Sequence, residues 1–245
     1  MAICLNLVRG ELLERPNRFV FVANVNGETL RLHCPVTGSI GGLKDFRSIP
    51  CLLSPSVDNG RSTAGTVEAI SLDGGNSWIG INQNRINGWM EKLLMENALA
   101  EMVSCKGAEI IHEVRVGDSR IDLCVVEGDR RTYIEIKTPM RDLLIGKNIK
   151  FQKPSSKDYF ARGIKHFGEL AKLATAGNRT IVAMCCMYDA REFSPPKSKW
   201  SKTIEDAVAH AAACGVESWQ INLQLSPSSI AVAAVRKLPL FSKRH

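Results

Sequence analysis

The sequence predicts an α+β fold in two parts, and three observations carry that expectation. The first 80 or so residues alternate in short runs broken by Gly, Asn and Asp turns. From Asn84 apolar residues recur at three and four positions, as in Ile86, Trp89, Met90, Leu93, Leu94 and Leu99. Beyond that helix, strand-like and helix-like segments follow in mixed order.

The N-terminal part reads as strands at 5–13, 18–25, 29–34, 49–54, 65–72 and 78–81. Asn26-Gly27 suits a hairpin turn, 38–42 is a Gly-rich bend, and Asp73-Gly74-Gly75 is a second turn. Five or so short strands without a long helix suggest a small OB-like β-barrel over 1–83, with a sandwich as the alternative. The remainder, 84–245, reads as helix 84–103, strands 109–116, 119–126 and 131–137, a long basic loop, helix 159–175, strand 180–188, helix 202–214 and strands 217–225 and 229–235. Helix, three strands, helix and strand is the order of the α/β PD-(D/E)XK nuclease core.

The second and third of those strands carry the chemistry. Gly128-Asp129 suits a two-residue hairpin turn. Centred there, the register sets Glu127 opposite Arg130, Asp122 opposite Glu135 and Arg120 opposite Lys137. Ile121, Leu123, Val125, Thr132, Ile134 and Ile136 then share the other face as a core surface. Two opposed carboxylates about 5 Å apart repel by about 3 kcal/mol at an effective dielectric near 20. A hard divalent cation, Mg²⁺ or alternatively Mn²⁺, held by Asp122, Glu135 and the Ile136 carbonyl, would relieve that repulsion and leave positions for water and phosphate. Lys137 would orient or deprotonate the water, or neutralise phosphate charge. The alternative is an exposed ion-pair ladder in which Arg120 and Lys137 pair with these carboxylates.

Charge points to the partner. The 245-residue chain has a net charge of +7, while residues 1–84 hold seven basic and seven acidic side chains. The excess therefore lies beyond Asn84, and it is densest at Arg141, Lys147, Lys150, Lys153, Lys157, Arg162 and Lys165, against Asp142 and Asp158. A polyanion, DNA or alternatively RNA, suits such a face. Arg120 and His166 lie beside it in this reading. In the barrel, Arg15, Asn17, Arg18 and Phe19 combine phosphate-binding charge with a base-stacking ring.

Eight scattered cysteines without a Cys-x-x-Cys pair are read as reduced, mostly buried thiols of a cytoplasmic protein. The start of the chain lacks a basic n-region with a long apolar segment, and no run of eighteen apolar residues occurs, so no membrane partner is expected.

Several stretches, in order along the chain, resemble the sugar fermentation stimulation protein A family. They are Glu14-Arg15-Pro16-Asn17-Arg18-Phe19, His33-Cys34-Pro35-Val36-Thr37-Gly38, Trp78-Ile79-Gly80-Ile81-Asn82, 113–122 through Gly117-Asp118-Ser119-Arg120-Ile121-Asp122, Tyr133-Ile134-Glu135-Ile136-Lys137, and 162–170 beginning Arg162-Gly163-Ile164-Lys165-His166. The resemblance implies an OB-like domain joined to a PD-(D/E)XK-like domain, DNA binding, and a regulatory link to sugar metabolism. It places Asp122, Glu135 and Lys137 at the nuclease triad positions and Glu91, on the first helix, as an auxiliary acidic metal ligand. Two stretches depart from the family pattern: Val36 stands where Asn is usual, and Phe151-Gln152-Lys153-Pro154-Ser155-Ser156-Lys157-Asp158 replaces an acidic approach to the second helix.

Overall fold

The computed structural model describes residues 2–36, 38, 40, 42–57, 60–140, 157–193 and 201–239, with the side chains of 157–162 and 201 excepted. Strand β1 (Ala2–Cys4) is followed by β2 (Val8–Asn17), β3 (Val20–Val25), β4 (Glu28–His33), β5 (Ile49–Pro55), β6 (Gly65–Ile70) and β7 (Ile79–Gly80). Strands β2 to β6 run antiparallel in the order β4-β3-β2-β5-β6, and a β4–β6 pairing at His33 and Thr66 closes them into the OB barrel. Inward residues at period two fill it, including Leu12, Phe21, Leu32, Cys51, Leu53 and Val67.

Strand β1 is not part of the barrel. It pairs antiparallel with β13 (Ser229–Lys237) at the edge of the second sheet, and Leu5 and Leu7 donate to Ser228 and Pro227 carbonyls. The expected first strand, 5–13, therefore splits between the two sheets, and residues 2–7 of the expected barrel segment 1–83 lie with the second.

A 3₁₀ turn (Gln83–Arg85) leads into α1 (Ile86–Met95), then β8 (Glu109–Val116), β9 (Ser119–Glu127), β10 (Arg130–Lys137), α2 (Lys157–Thr175), β11 (Arg179–Cys186), α3 (Ser201–Ala213), β12 (Glu217–Leu225) and β13. Helix α1 ends earlier than its apolar spacing suggests. Asn97 adopts φ +57°, a left-handed conformation that stops a helix, while Leu99, Met102 and Val103 beyond it still enter the core.

The second sheet has the order β1-β13-β12-β11-β10-β9-β8, with β10, β11 and β12 parallel. Both faces are covered. Helix α1 buries Trp89, Met90, Leu93 and Leu94 against Leu123, Val125, Ile134 and Ile136. Helices α2 and α3 bury Leu170, Ala171 and Ala211 against Ile121, Cys124, Tyr133 and Val182. The order of helix, three strands, helix and strand is as the sequence predicts.

Barrel and sheet are in direct contact through the segment after β11. Cys186 and Tyr188 enter the barrel core, and the Gly80 amide donates to the Met187 carbonyl at 2.8 Å. A Cβ on Gly80 would stand 2.6 Å from the Met187 Cβ, so this approach requires glycine. All eight cysteines are free thiols, six of them buried. Among the described residues no helix is long and apolar enough to cross a membrane.

Candidate functional site

The β9–β10 hairpin follows the expected register from Glu127 and Arg130 to Leu123 and Ile134, and there the ladder stops. Asp122 does not continue it; its Oδ2 accepts the Ile136 amide at 2.7 Å. On the other edge the β8–β9 pairing runs through His112 and Leu123 and resumes at Val114 and Ile121, omitting Glu113, whose φ is +48°. This local break has two consequences. Ile121 packs on the α2 side and Leu123 on the α1 side, so the single core surface expected for these strands is divided. Arg120 does not face Lys137; it ion-pairs with Glu113 at 2.9 Å across the β8–β9 hairpin, where both side chains are exposed.

Glu135 is 2% exposed. Its Oε1 receives Lys137 Nζ at 2.5 Å and also meets Nδ1 of His166, on α2; Lys137 Nζ lies 3.4 Å from that same Nδ1. Glu135 Oε2 is buried and, among the described residues, has no hydrogen-bond partner. Burial alone would push the Glu135 carboxyl up, but His166 and Lys137 outweigh it and hold the group below its usual range. Asp122 goes the other way: burial raises it and the Glu135 charge raises it further, against hydrogen bonds from the Ile136 amide and Asn87. The structure thus brings Asp122, Glu135, Lys137 and His166 together between α1 and α2.

Sequence reading missed two side chains here. Asn87 Nδ2 donates to Asp122 Oδ1 at 3.1 Å, and Gln83 Nε2 donates to the Thr138 carbonyl, next after Lys137, at 3.0 Å. Glu91 continues the same row but engages His112 of β8 at 2.9 Å. The spacing of four residues from Gln83 to Asn87 to Glu91 was the available signal, since such residues share one side of a helical segment. Among the described residues no group of three or more His, Cys, Asp and Glu side chains comes together as a metal cage.

The nucleic-acid candidates are dispersed. Lys165 Nζ donates to the Asp118 carbonyl at 3.1 Å, tying α2 to the β8–β9 turn. Lys147, Lys150 and Lys153 lie outside the described residues, as do the side chains of Lys157 and Arg162. On the barrel, Arg15 donates to the carbonyls of Val36, Arg18 and Gly38 and lies over the rings of Phe21 and Phe46. Asn17 Oδ1 accepts the Phe19 amide at 2.9 Å, and Arg18 covers the exposed Phe19 ring at 4.6 Å. Arg15, Asn17 and Arg18 border an open cleft of about 490 Å³ that also takes in Glu14, Lys44, Asp45, Phe46 and Arg47.

Residues 13–81 match the SfsA N-terminal OB domain and residues 84–229 the sugar fermentation stimulation protein RE domain. Similar curated proteins include the sugar fermentation stimulation protein homolog of Azotobacter vinelandii, 31% identical over 95% of this chain and 96% of that one. The homolog of Desulfotalea psychrophila is 32% identical over 77% of each chain. The solved structure of Pyrococcus furiosus SfsA in complex with Ca²⁺ superposes with a TM-score of 0.71 at 24% identity, covering 96% of both chains.

Proposed function

The chain belongs to the sugar fermentation stimulation protein family, and we propose that it binds DNA and hydrolyses its phosphodiester bonds with the aid of Mg²⁺ or Mn²⁺. The observation that carries this reading is the pairing of the half-buried Asp122 with the buried Glu135, whose Oε2 has no hydrogen-bond partner among the described residues. A buried carboxylate oxygen without a partner is costly and is relieved by a cation. The donor set is all oxygen, which suits a hard dication, and the Pyrococcus furiosus relative was solved with Ca²⁺, an ion of the same ligand preference.

In this reading Asp122, Glu135 and the Ile136 carbonyl would hold the ion, with Glu91, which here engages His112, as an auxiliary ligand. When bound, the ion supplies Lewis acidity toward a phosphoryl oxygen and lowers the pKa of a bound water. The chain's own residues do the rest. Asn87 and the Ile136 amide fix the two Asp122 oxygens. Lys137, held at Glu135 Oε1, would orient or deprotonate the attacking water or neutralise phosphate charge. His166, on the same oxygen, steadies Glu135 from α2. Arg15, Asn17, Arg18 and Phe19 present a basic and aromatic surface to the strand.

A specific feature favours a second reading, in which the fold is kept as a non-catalytic DNA-binding regulator: Lys137 and His166 already occupy Glu135 Oε1, and the described residues form no larger cage. Incubation of wild-type and Glu135→Ala protein with labelled single- and double-stranded DNA, with matched RNA strands, in Mg²⁺, Mn²⁺ or chelator, separates the two. Metal-dependent products lost in the variant support hydrolysis. Binding without cleavage in every metal would leave the regulator.

A further inference from the structure

A second polar cavity, of about 190 Å³, lies between the β5–β6 hairpin of the barrel and the start of α1. Among the described residues its lining includes Arg61 and Arg85 with Ser54, Ser56, Thr63 and Thr66, and no carboxylate. The arginine from the second domain is built into place. Glu68, 1% exposed, sits where the β5–β6 register slips between Leu52 and Leu53, an irregularity that admits an extra residue and re-aims its side chain. Its Oε1 accepts the Ser54 hydroxyl at 2.5 Å and Arg85 at 3.3 Å, and its Oε2 accepts Asn82 Nδ2 at 2.8 Å.

Among the described residues Glu68 is the one side chain bonded to the Arg85 guanidinium, and it uses one nitrogen. Arg85 is 54% exposed, so the rest of its donor fork is presented to the cavity and to water. A fork fixed from behind by a buried carboxylate, ringed by hydroxyls, has the chemistry that recognises a phosphate. The volume is below the roughly 300 Å³ at which sites for whole small molecules begin, and it suits a phosphate group with part of its sugar. Arg85 also stands two residues before Asn87, the side chain that holds Asp122.

We propose that this cavity is a backbone-phosphate subsite, holding a phosphodiester of the same strand near the one at Asp122 and Glu135. The inference rests on the nucleic-acid reading above and adds a defined anchor that spans the barrel and the second domain.

The test is equilibrium binding of a labelled single-stranded DNA oligonucleotide to full-length protein in chelator, over a range of salt concentrations. The variants are Arg85→Gln and Arg61→Gln, the latter on the exposed hairpin and outside the Glu68 network. Each is expected to weaken binding about tenfold, as for loss of a charge-assisted hydrogen bond. Each also lowers the slope of log affinity against log salt by about one. Thermal unfolding of each variant identifies a folding defect, and Arg61→Gln decides the matter if Arg85→Gln is unstable. Wild-type binding with both the affinity and the slope unchanged in a folded Arg61→Gln or Arg85→Gln protein would overturn the subsite and leave the broader reading standing. No binding by wild type to DNA or RNA would overturn both.

Discussion

Replacing Asn87 with Ala tests whether the site is built around a cation. Asn87 Nδ2 donates to Asp122 Oδ1 at 3.1 Å and the Ile136 amide to Oδ2 at 2.7 Å, so each Asp122 oxygen has one fixed donor. Removing the first frees the carboxylate to rotate and leaves it with less support for its charge, in a place where burial already raises its pKa. Loss of a hydrogen bond to a charged group costs about 1.5–3 kcal/mol, part of which water recovers when it enters the space, so a stability loss of about 1–2 kcal/mol is expected. A group that orients a metal ligand is worth about 10- to 100-fold in metal affinity. Titration of Mn²⁺ by calorimetry, with urea unfolding of the same samples, measures both. The sign with pH is fixed: the lost bond had favoured the ionised form, so the affinity defect is larger at mildly acidic than at neutral pH. Unchanged Mn²⁺ affinity in a folded Asn87→Ala protein at both pH values would refute the reasoning.

Acid stability depends on Glu217, which accepts Arg179 at 2.7 Å, the Trp219 indole at 2.8 Å and Lys237 at 3.1 Å; the Arg179 hydrogen bond is the largest influence holding its carboxyl at about 2 against 4.5. Because the folded value is depressed, this stabilisation is present above pH 4.5 and is lost as pH falls from there toward 2; with both cations well exposed it is about 1–2 kcal/mol, and Glu217→Gln should flatten urea midpoints over that window. Gly80→Ala puts a Cβ 2.6 Å from the Met187 Cβ and should cost about 1–3 kcal/mol of stability, read from thermal unfolding; an unchanged midpoint would mean the two domains part easily at this point. Phe19→Ala removes a ring that is 46% exposed, so folding should be unaffected while affinity for a single strand falls by about 1–3 kcal/mol in a binding titration.

Much of the fold was legible because it obeys local periodicity. The hairpin register read from Gly128-Asp129 holds from Glu127 and Arg130 as far as Leu123 and Ile134. It fails one residue later, where Glu113 on the neighbouring strand takes a left-handed φ, and no residue type in 109–123 announces that conformation. The placement of β1 was hidden for a different reason. Three residues carry too little pattern to choose between a nearby barrel and a partner more than two hundred positions away in the chain. Asn87 was overlooked because an amide on a polar helix face has no signature of its own; its importance comes from the carboxylate it meets.

The break at Asp122 is the link between fold and chemistry. In an unbroken ladder Asp122 and Glu135 would be opposed as neighbours on one face, with their backbones paired to each other. Instead Asp122 Oδ2 takes the Ile136 amide, so the aspartate substitutes for the missing ladder partner and is fixed beside Glu135. The same geometry divides the two carboxylates between the helices: Asp122 is held by Asn87 of α1, and Glu135 by His166 of α2. A shift of α1 would therefore move one carboxylate relative to the other. Among the described residues three hydrogen bonds oppose such a shift: Gln83 to the Thr138 carbonyl, and Asn82 and Arg85 to the buried Glu68 of the barrel. The barrel thus helps to set the spacing of the carboxylates. Glu68→Gln, which weakens the hold on Arg85 while keeping volume, should lower Mn²⁺ affinity without touching either carboxylate; an affinity equal to wild type would show that α1 is held by the second domain alone.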